Sequence, residues 1–339
     1  MHLDPTLFEI HIFNTNGTED AETELAKLNA TTYLNCGHRV QQAAQIIADR
    51  DLDVLLYPEI GMDTTTKALA CLRLAPIQVV SWGHPETTGL PTIDYYLSGQ
   101  FLEPEGAKLN YCEELVELPN LGTYFLHQEI QATDIDLESL ELDPNSPIFI
   151  CAGSPTKYTP VHDQVFVEIA KRLGDCQFIF FMFDEHIFTI VMDRLHQSFK
   201  SAGLDPDKFI HYAPFLKKEA FFGLMQKADL YLDTIGFSGF NTAMQALECH
   251  LPVVTIEGNR LRGRLASAIL HKMGLPELIC KTEASYIDLV VKLIQNPELL
   301  SSYKAAIAKS KMHLFNDLEP IMALEKFLIN KTKKSPSPI

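Results

Sequence analysis

Short apolar runs alternate with helical patterns along nearly the whole chain, and that rhythm leaves few folds open. Residues 7–13, 54–57, 77–81, 95–98 and 115–118 are rich in β-branched and aromatic residues and are flanked by Gly, Pro, Asn or Asp. Between them lie helical patterns at 19–29, 38–49 and 64–74. Buried strands separated by amphipathic helices predict parallel sheets with crossover helices. Residues 128–147 interrupt the rhythm; they are acidic and carry Pro144 and Pro147. The alternation then resumes, with strands expected at 148–152, 176–182, 209–212, 230–233, 252–256 and 278–280.

This pattern predicts an α/β protein of two Rossmann-like halves. The expected organisation is an N-terminal domain over 1–127, a linker over 128–147 and a second domain over 148–318. A C-terminal helix at 319–331 and a disordered polar tail at 332–339 complete it. Two such halves place a ligand cleft between domains as an expectation.

Composition narrows the function classes. The apolar fraction of 46% and charged fraction of 21% are those of a soluble globular protein, and no run reaches the roughly 18 apolar residues a membrane helix needs. The start, MHLDPTLFEIHIF, has no basic n-region. Seven scattered cysteines without a CxxC pair point to a reducing compartment, hence a cytoplasmic protein. A net charge of −16 argues against nucleic acid as a partner but leaves room for a nucleotide in a local basic pocket.

The block at 230–270 offers such a pocket. An apolar strand runs into a loop with Gly236 and Gly239, a helix opens near Asn241 and Thr242, and Arg260, Arg262 and Arg264 follow a second strand. Helix N-termini and backbone N–H groups suit phosphate, and guanidinium groups pair with its oxygens. Helix capping would equally explain Asn241 and Thr242. The chain carries no GxxxxGK[ST] and no well-placed GxGxxG.

Two strings together carry a family resemblance: RLAPIQ…GHPETTG…IDY within 57–99 and GFNT…LPVVT within 230–270. The chain resembles the SPINDLY-like bacterial relatives of the O-linked N-acetylglucosamine transferases, with weaker matches from about residue 8 to about residue 327. The resemblance implies the two-Rossmann GT-B glycosyltransferase fold, a UDP-sugar donor, a protein hydroxyl as acceptor and no metal or other cofactor. It implies Lys157 as a contact of the donor phosphates and a catalytic residue, with Gly239, Asn241, Thr242 and Arg264 around the diphosphate. Gln245 falls at the ribose position, where relatives carry an acid, and Phe221 falls near the base, to stack on it or to pack in the core. His84 becomes the candidate that orients the acceptor hydroxyl or relays its proton, or is bonded within its turn. Glu86, Thr87, Thr88 and Glu59 are expected around the sugar or acceptor. Relatives begin with one more strand, so the N-terminal half is expected to be incomplete and to leave an unpaired strand edge. A non-catalytic nucleotide-binding paralogue, or a transferase using a glucose or fucose nucleotide, stands as the alternative.

Overall fold

The computed structural model describes residues 2–127 and 131–333. It divides into two compact units, one formed by Met1–Tyr124 with Asp317–Ile339 and the other by Phe125–Asn316.

In the first unit, β1 (His11–Asn14), α1 (Ala21–Asn29), β2 (Thr32–Asn35), α2 (Val40–Ala48) and β3 (Val54–Tyr57) are followed by α3 (Thr64–Ala70), β4 (Ile77–Ser81), β5 (Tyr95–Gly99) and β6 (Glu114–Leu118). β1 and β2 form a two-stranded parallel sheet, while β3-β4-β5-β6 form a parallel sheet in sequence order. Among the described residues, β3 pairs only with β4. The first expected strand, 7–13, is shifted to His11–Asn14, and β2 went unforeseen because TYLN is short and polar at its end. Asp20 starts α1 with a capping box, accepting from Thr23 N–H.

The C-terminal helix belongs to this unit. On α11 (Glu319–Thr332), Ala323, Leu324 and Phe327 pack against Ile77, Val79, Leu97 and Leu118. Thr332, the first residue of the expected tail, is helical instead; residues 334–339 of that tail lie outside the described residues.

The second unit contains β7 (Ile148–Cys151), α4 (Asp163–Leu173), β8 (Gln177–Phe181), α5 (Glu185–Ser201), β9 (Ile210–Ala213) and α6 (Lys218–Lys227). Then come β10 (Leu230–Leu232), α7 (Asn241–Glu248), β11 (Val253–Ile256), α8 (Leu265–Met273), β12 (Ile279–Cys280), α9 (Glu283–Gln295) and α10 (Pro297–Ser310). All six strands are parallel, in the order β12-β11-β10-β7-β8-β9. β7, β8 and β10 are buried at every position, as strands covered on both faces must be.

Residues 131–147, expected as linker, are strapped to this unit instead. Thr133 N–H donates to Glu219 C=O at 3.0 Å, and its own carbonyl lies where a β-carbon on Gly223 would stand only 1.9 Å away. Gln177 bonds both Asp143 and Ser146. Residues 128–130 lie outside the described residues.

Candidate functional site

The strand order of the second unit reverses direction between β7 and β10: successive strands go one way from β7 and the other way from β10. Loops leaving neighbouring strands at such a point diverge and open a crevice at their carboxyl ends, where ligands of doubly wound sheets bind. Lys157 follows β7 in the turn Pro155–Lys157, and the loop 233–240 follows β10 into α7. The two loops touch, since a β-carbon on Gly153 would stand 2.4 Å from Thr234 Cγ2.

Asp233 organises the crevice. Its buried carboxylate accepts from Ser238 Oγ at 2.6 Å, Thr255 Oγ1 at 2.7 Å and Gly239 N–H at 2.8 Å. Burial pushes this carboxyl above its ordinary pKa, against those hydrogen bonds and the charge of Lys157. Ser238 in turn accepts from Ala266 N–H at the start of α8. Its carbonyl accepts from Lys157 Nζ at 3.0 Å, and that ammonium lies 4.4 Å from the Phe237 ring centroid. Burial draws the Lys157 ammonium below its usual pKa, with Asp233 opposing. A cation is thus held beside Gly239 and the opening of α7.

Capping does not explain Asn241 and Thr242. The cap position is Phe240, which makes no side-chain cap bond, and Asn241 is an exposed first residue of α7. Thr242 Oγ1 bonds Tyr231 OH at 2.7 Å. The start of α7 therefore lacks a side-chain cap, which leaves its first N–H groups open to water or to an anion. Gln245 lies one turn further along α7 and is half-buried.

Arg264 departs from expectation: its guanidinium meets Glu257 at 3.1 Å and Gly258 C=O at 3.2 Å, so its charge serves Glu257. His271 and Lys281 bind the same carboxylate. Arg260 and Arg262 are exposed. Phe221, on α6, is half-buried and packs edge-on against Phe181 at 5.2 Å between centroids, which is the packing alternative.

In the first unit, the loops after β3 and β4 meet at the carboxyl edge. Gly83 N–H donates to Pro58 C=O, and a β-carbon on Gly61 would stand 2.7 Å from His84 Cδ2. The His84 carbonyl accepts from Tyr96 OH, so its turn is fixed while its ring rests on Gly61. Thr87 and Thr88 bond inward: both hydroxyls and the Thr88 N–H donate to the buried carboxylate of Glu113. Glu59 accepts from the N–H groups of Met62 and Asp63, holding its own turn. Glu86 is half-buried beside His84, its N–H bonded to the His84 carbonyl.

Among the described residues no cluster of three or more His, Cys, Asp or Glu is arranged to hold a metal, and no helix is long and apolar enough to cross a membrane. Sequence reasoning missed Asp233 and Ser238. A lone acid ending an apolar strand, with Ser and Thr nearby, was the available signal for the first.

The family model of glycosyl transferase family 41 matches residues 142–319, more than half of the chain and nearly all of the second unit. The chain belongs to glycosyl transferase family 41. It is 24% identical over 317 residues to a probable UDP-N-acetylglucosamine–peptide N-acetylglucosaminyltransferase SPINDLY of Solanum lycopersicum, covering 90% of this chain and 33% of that protein. This family member thus spans about a third of that relative's length. A mutant O-GlcNAc transferase of Thermobaculum terrenum aligns with a TM-score of 0.86 at 20% identity, over 98% of this chain and 64% of that one. A sucrose-phosphate synthase of Thermosynechococcus elongatus aligns with a TM-score of 0.61 at 11% identity, over 96% and 90%. The fold is that of the GT-B glycosyltransferases.

Proposed function

We propose that this family 41 chain binds a UDP-sugar in the crevice between β7 and β10 and transfers the sugar, N-acetylglucosamine by preference, to a Ser or Thr hydroxyl of a protein. The observation that carries the reading is the Asp233–Ser238–Lys157 chain of contacts, which fixes a cation at the open start of α7. The name of the tomato relative supports the choice of donor and acceptor.

In this mechanism the acceptor oxygen attacks the anomeric carbon, the bond to the diphosphate breaks, and UDP leaves as an anion. Lys157, the backbone at Gly239 and the N-terminus of α7 at Asn241 and Thr242 stabilise the charge that develops on the diphosphate, a task other transferases give to a metal. Gln245 bonds the ribose, while Phe221 stays packed on Phe181. His84, steadied on Gly61, orients the acceptor hydroxyl or carries its proton. The seven free cysteines fit the reducing cytoplasm we assign to it.

Calorimetry with a panel of nucleotide sugars, with and without magnesium, tests the reading alongside donor hydrolysis. Magnesium-independent binding of UDP-N-acetylglucosamine, weakened by Lys157→Ala, is expected. A folded protein that binds no nucleotide sugar refutes it.

A further inference from the structure

The hollow that Lys157 lines is also lined by a histidine paired with a glutamate. His162, the residue immediately before α4, lines it together with Lys157, Asp233, Thr234 and Ile235. His162 Nδ1 lies 2.6 Å from Glu283 Oε1 at the first turn of α9. An ionised carboxylate only accepts, so the proton sits on Nδ1 and Nε2 is the nitrogen offered elsewhere. Nε2 points toward the loop after β10, 3.9 Å from where a β-carbon on Gly236 would stand. The side chains of His162 and Glu283 keep 25% and 42% of their surface open, so a ligand can reach them.

The other charges around His162 are already committed. Asp163 is held by Arg194 of α5 at 2.7 and 3.0 Å, Asp233 by its three donors, and Lys157 by the Ser238 carbonyl; Tyr158 and Tyr286 are buried phenols. Asp163 lies near enough to interact with the imidazole by charge, but among the described residues it is Glu283 that is hydrogen-bonded to the ring.

We propose that His162, clamped by Glu283, is a second cationic contact of the donor diphosphate and takes up a proton from solvent when the nucleotide sugar binds. This rests on the donor site proposed above. Between a carboxylate on one side and a diphosphate on the other, an imidazole keeps a proton on both nitrogens. It donates Nδ1–H to Glu283 and Nε2–H to a phosphate oxygen. The pair thereby adds a second positive contact to that of Lys157; in the empty site it carries the single negative charge of the half-exposed Glu283, which the proton taken up with the donor offsets.

The test is calorimetric titration of the full chain with UDP-N-acetylglucosamine, whose esterified phosphates do not themselves titrate near neutrality, at pH about 8 in two buffers of different ionisation enthalpy, above the range where a free imidazole titrates. The wild-type enthalpy should depend on the buffer, reporting proton uptake. His162→Asn can still donate to Glu283 but cannot take a proton; it should lose the uptake and bind about tenfold more weakly, the loss of one charge-assisted hydrogen bond. Glu283→Gln, at an accessible position, should reduce both effects and carries the test if His162→Asn melts prematurely. Wild-type affinity and uptake in both variants, with Lys157→Ala still weakening binding, overturns this assignment alone. No binding by the wild type removes the donor site and this contact together.

Discussion

The hydroxyl of Ser238 donates to the buried carboxylate of Asp233 at 2.6 Å while the Ser238 carbonyl receives Lys157 Nζ at 3.0 Å. One residue thus transmits the position of a buried acid to the cation beside it. Asp233→Ala would strand the Gly239 N–H and two buried hydroxyls at once. It should cost about 3 kcal/mol in urea unfolding, against roughly half that for Asp233→Asn, which still accepts from Gly239. Equal losses in the two variants would mean that the hydrogen bonds do not organise this loop.

Gly153 lies where the loops after β7 and β10 come closest. Gly153→Ala sets a methyl 2.4 Å from Thr234 Cγ2 and 3.0 Å from Tyr158 OH, so the loops must part. We expect a loss of about 1–3 kcal/mol from the overpacking. Thr234→Ser removes the offending methyl but keeps the hydroxyl that donates to Phe237 C=O. In a double-mutant cycle it should recover a large share of the loss. Strict additivity would show that the crevice is not as tight as these contacts make it.

Lys157 illustrates a conflict between stability and binding. Its folded pKa is depressed by burial, so between that value and the ordinary one the unfolded chain binds more protons than the folded chain. Stability from this group accordingly rises with pH through that window, and at neutral pH the buried charge is carried at a cost. Lys157→Met, similar in volume, should leave the melting temperature unchanged or higher while donor affinity falls about a hundredfold, as for a lost charged phosphate contact. A melting temperature that drops together with the affinity would place Lys157 among the residues that hold the fold.

Much of this was legible in the sequence because most strands are short, largely apolar runs bracketed by turn residues, several of them covered on both faces. The runs at 54–57 and 77–81 begin and end where the strands do, although β3 leaves Leu56 exposed. β2 was not legible, because three half-buried residues followed by an exposed Asn carry neither period nor marked hydrophobicity. The segment 131–147 read as a linker from its acids and prolines, yet backbone and side-chain bonds to Glu219 and Gln177 tie it down, and composition does not report those. At the site, the opening of α7 is legible from its place after a strand, whereas Lys157 is singled out by the family resemblance. Arg264, Thr87 and Thr88 read as ligand groups because their buried acidic partners, Glu257 and Glu113, lie 7 and about 25 residues away and are chosen only by the fold. Spacing reveals which side chains a loop presents but not which of them the protein consumes internally.

Glu257 makes the last case measurable. Its side chain is 7% exposed and is met by Arg264, His271 and Lys281. Burial works against its ionisation, but the hydrogen bonds from Lys281 and His271 and the charge of Arg264 outweigh that and hold the carboxyl below its ordinary pKa. An acid depressed in the folded state gives stability that is present above its unfolded value and is lost as pH falls through the folded one. Glu257→Gln should therefore cost about 2 kcal/mol at neutral pH, and the gap to wild type should close as the pH drops from about 5 into the acid range below 4. Urea titrations across that pH series measure it. Arg264→Ala should reproduce the neutral-pH loss while changing donor affinity far less than Lys157→Ala does. A pH-independent gap would deny the ion cluster its role, and a large affinity loss in Arg264→Ala would return the arginine to the diphosphate.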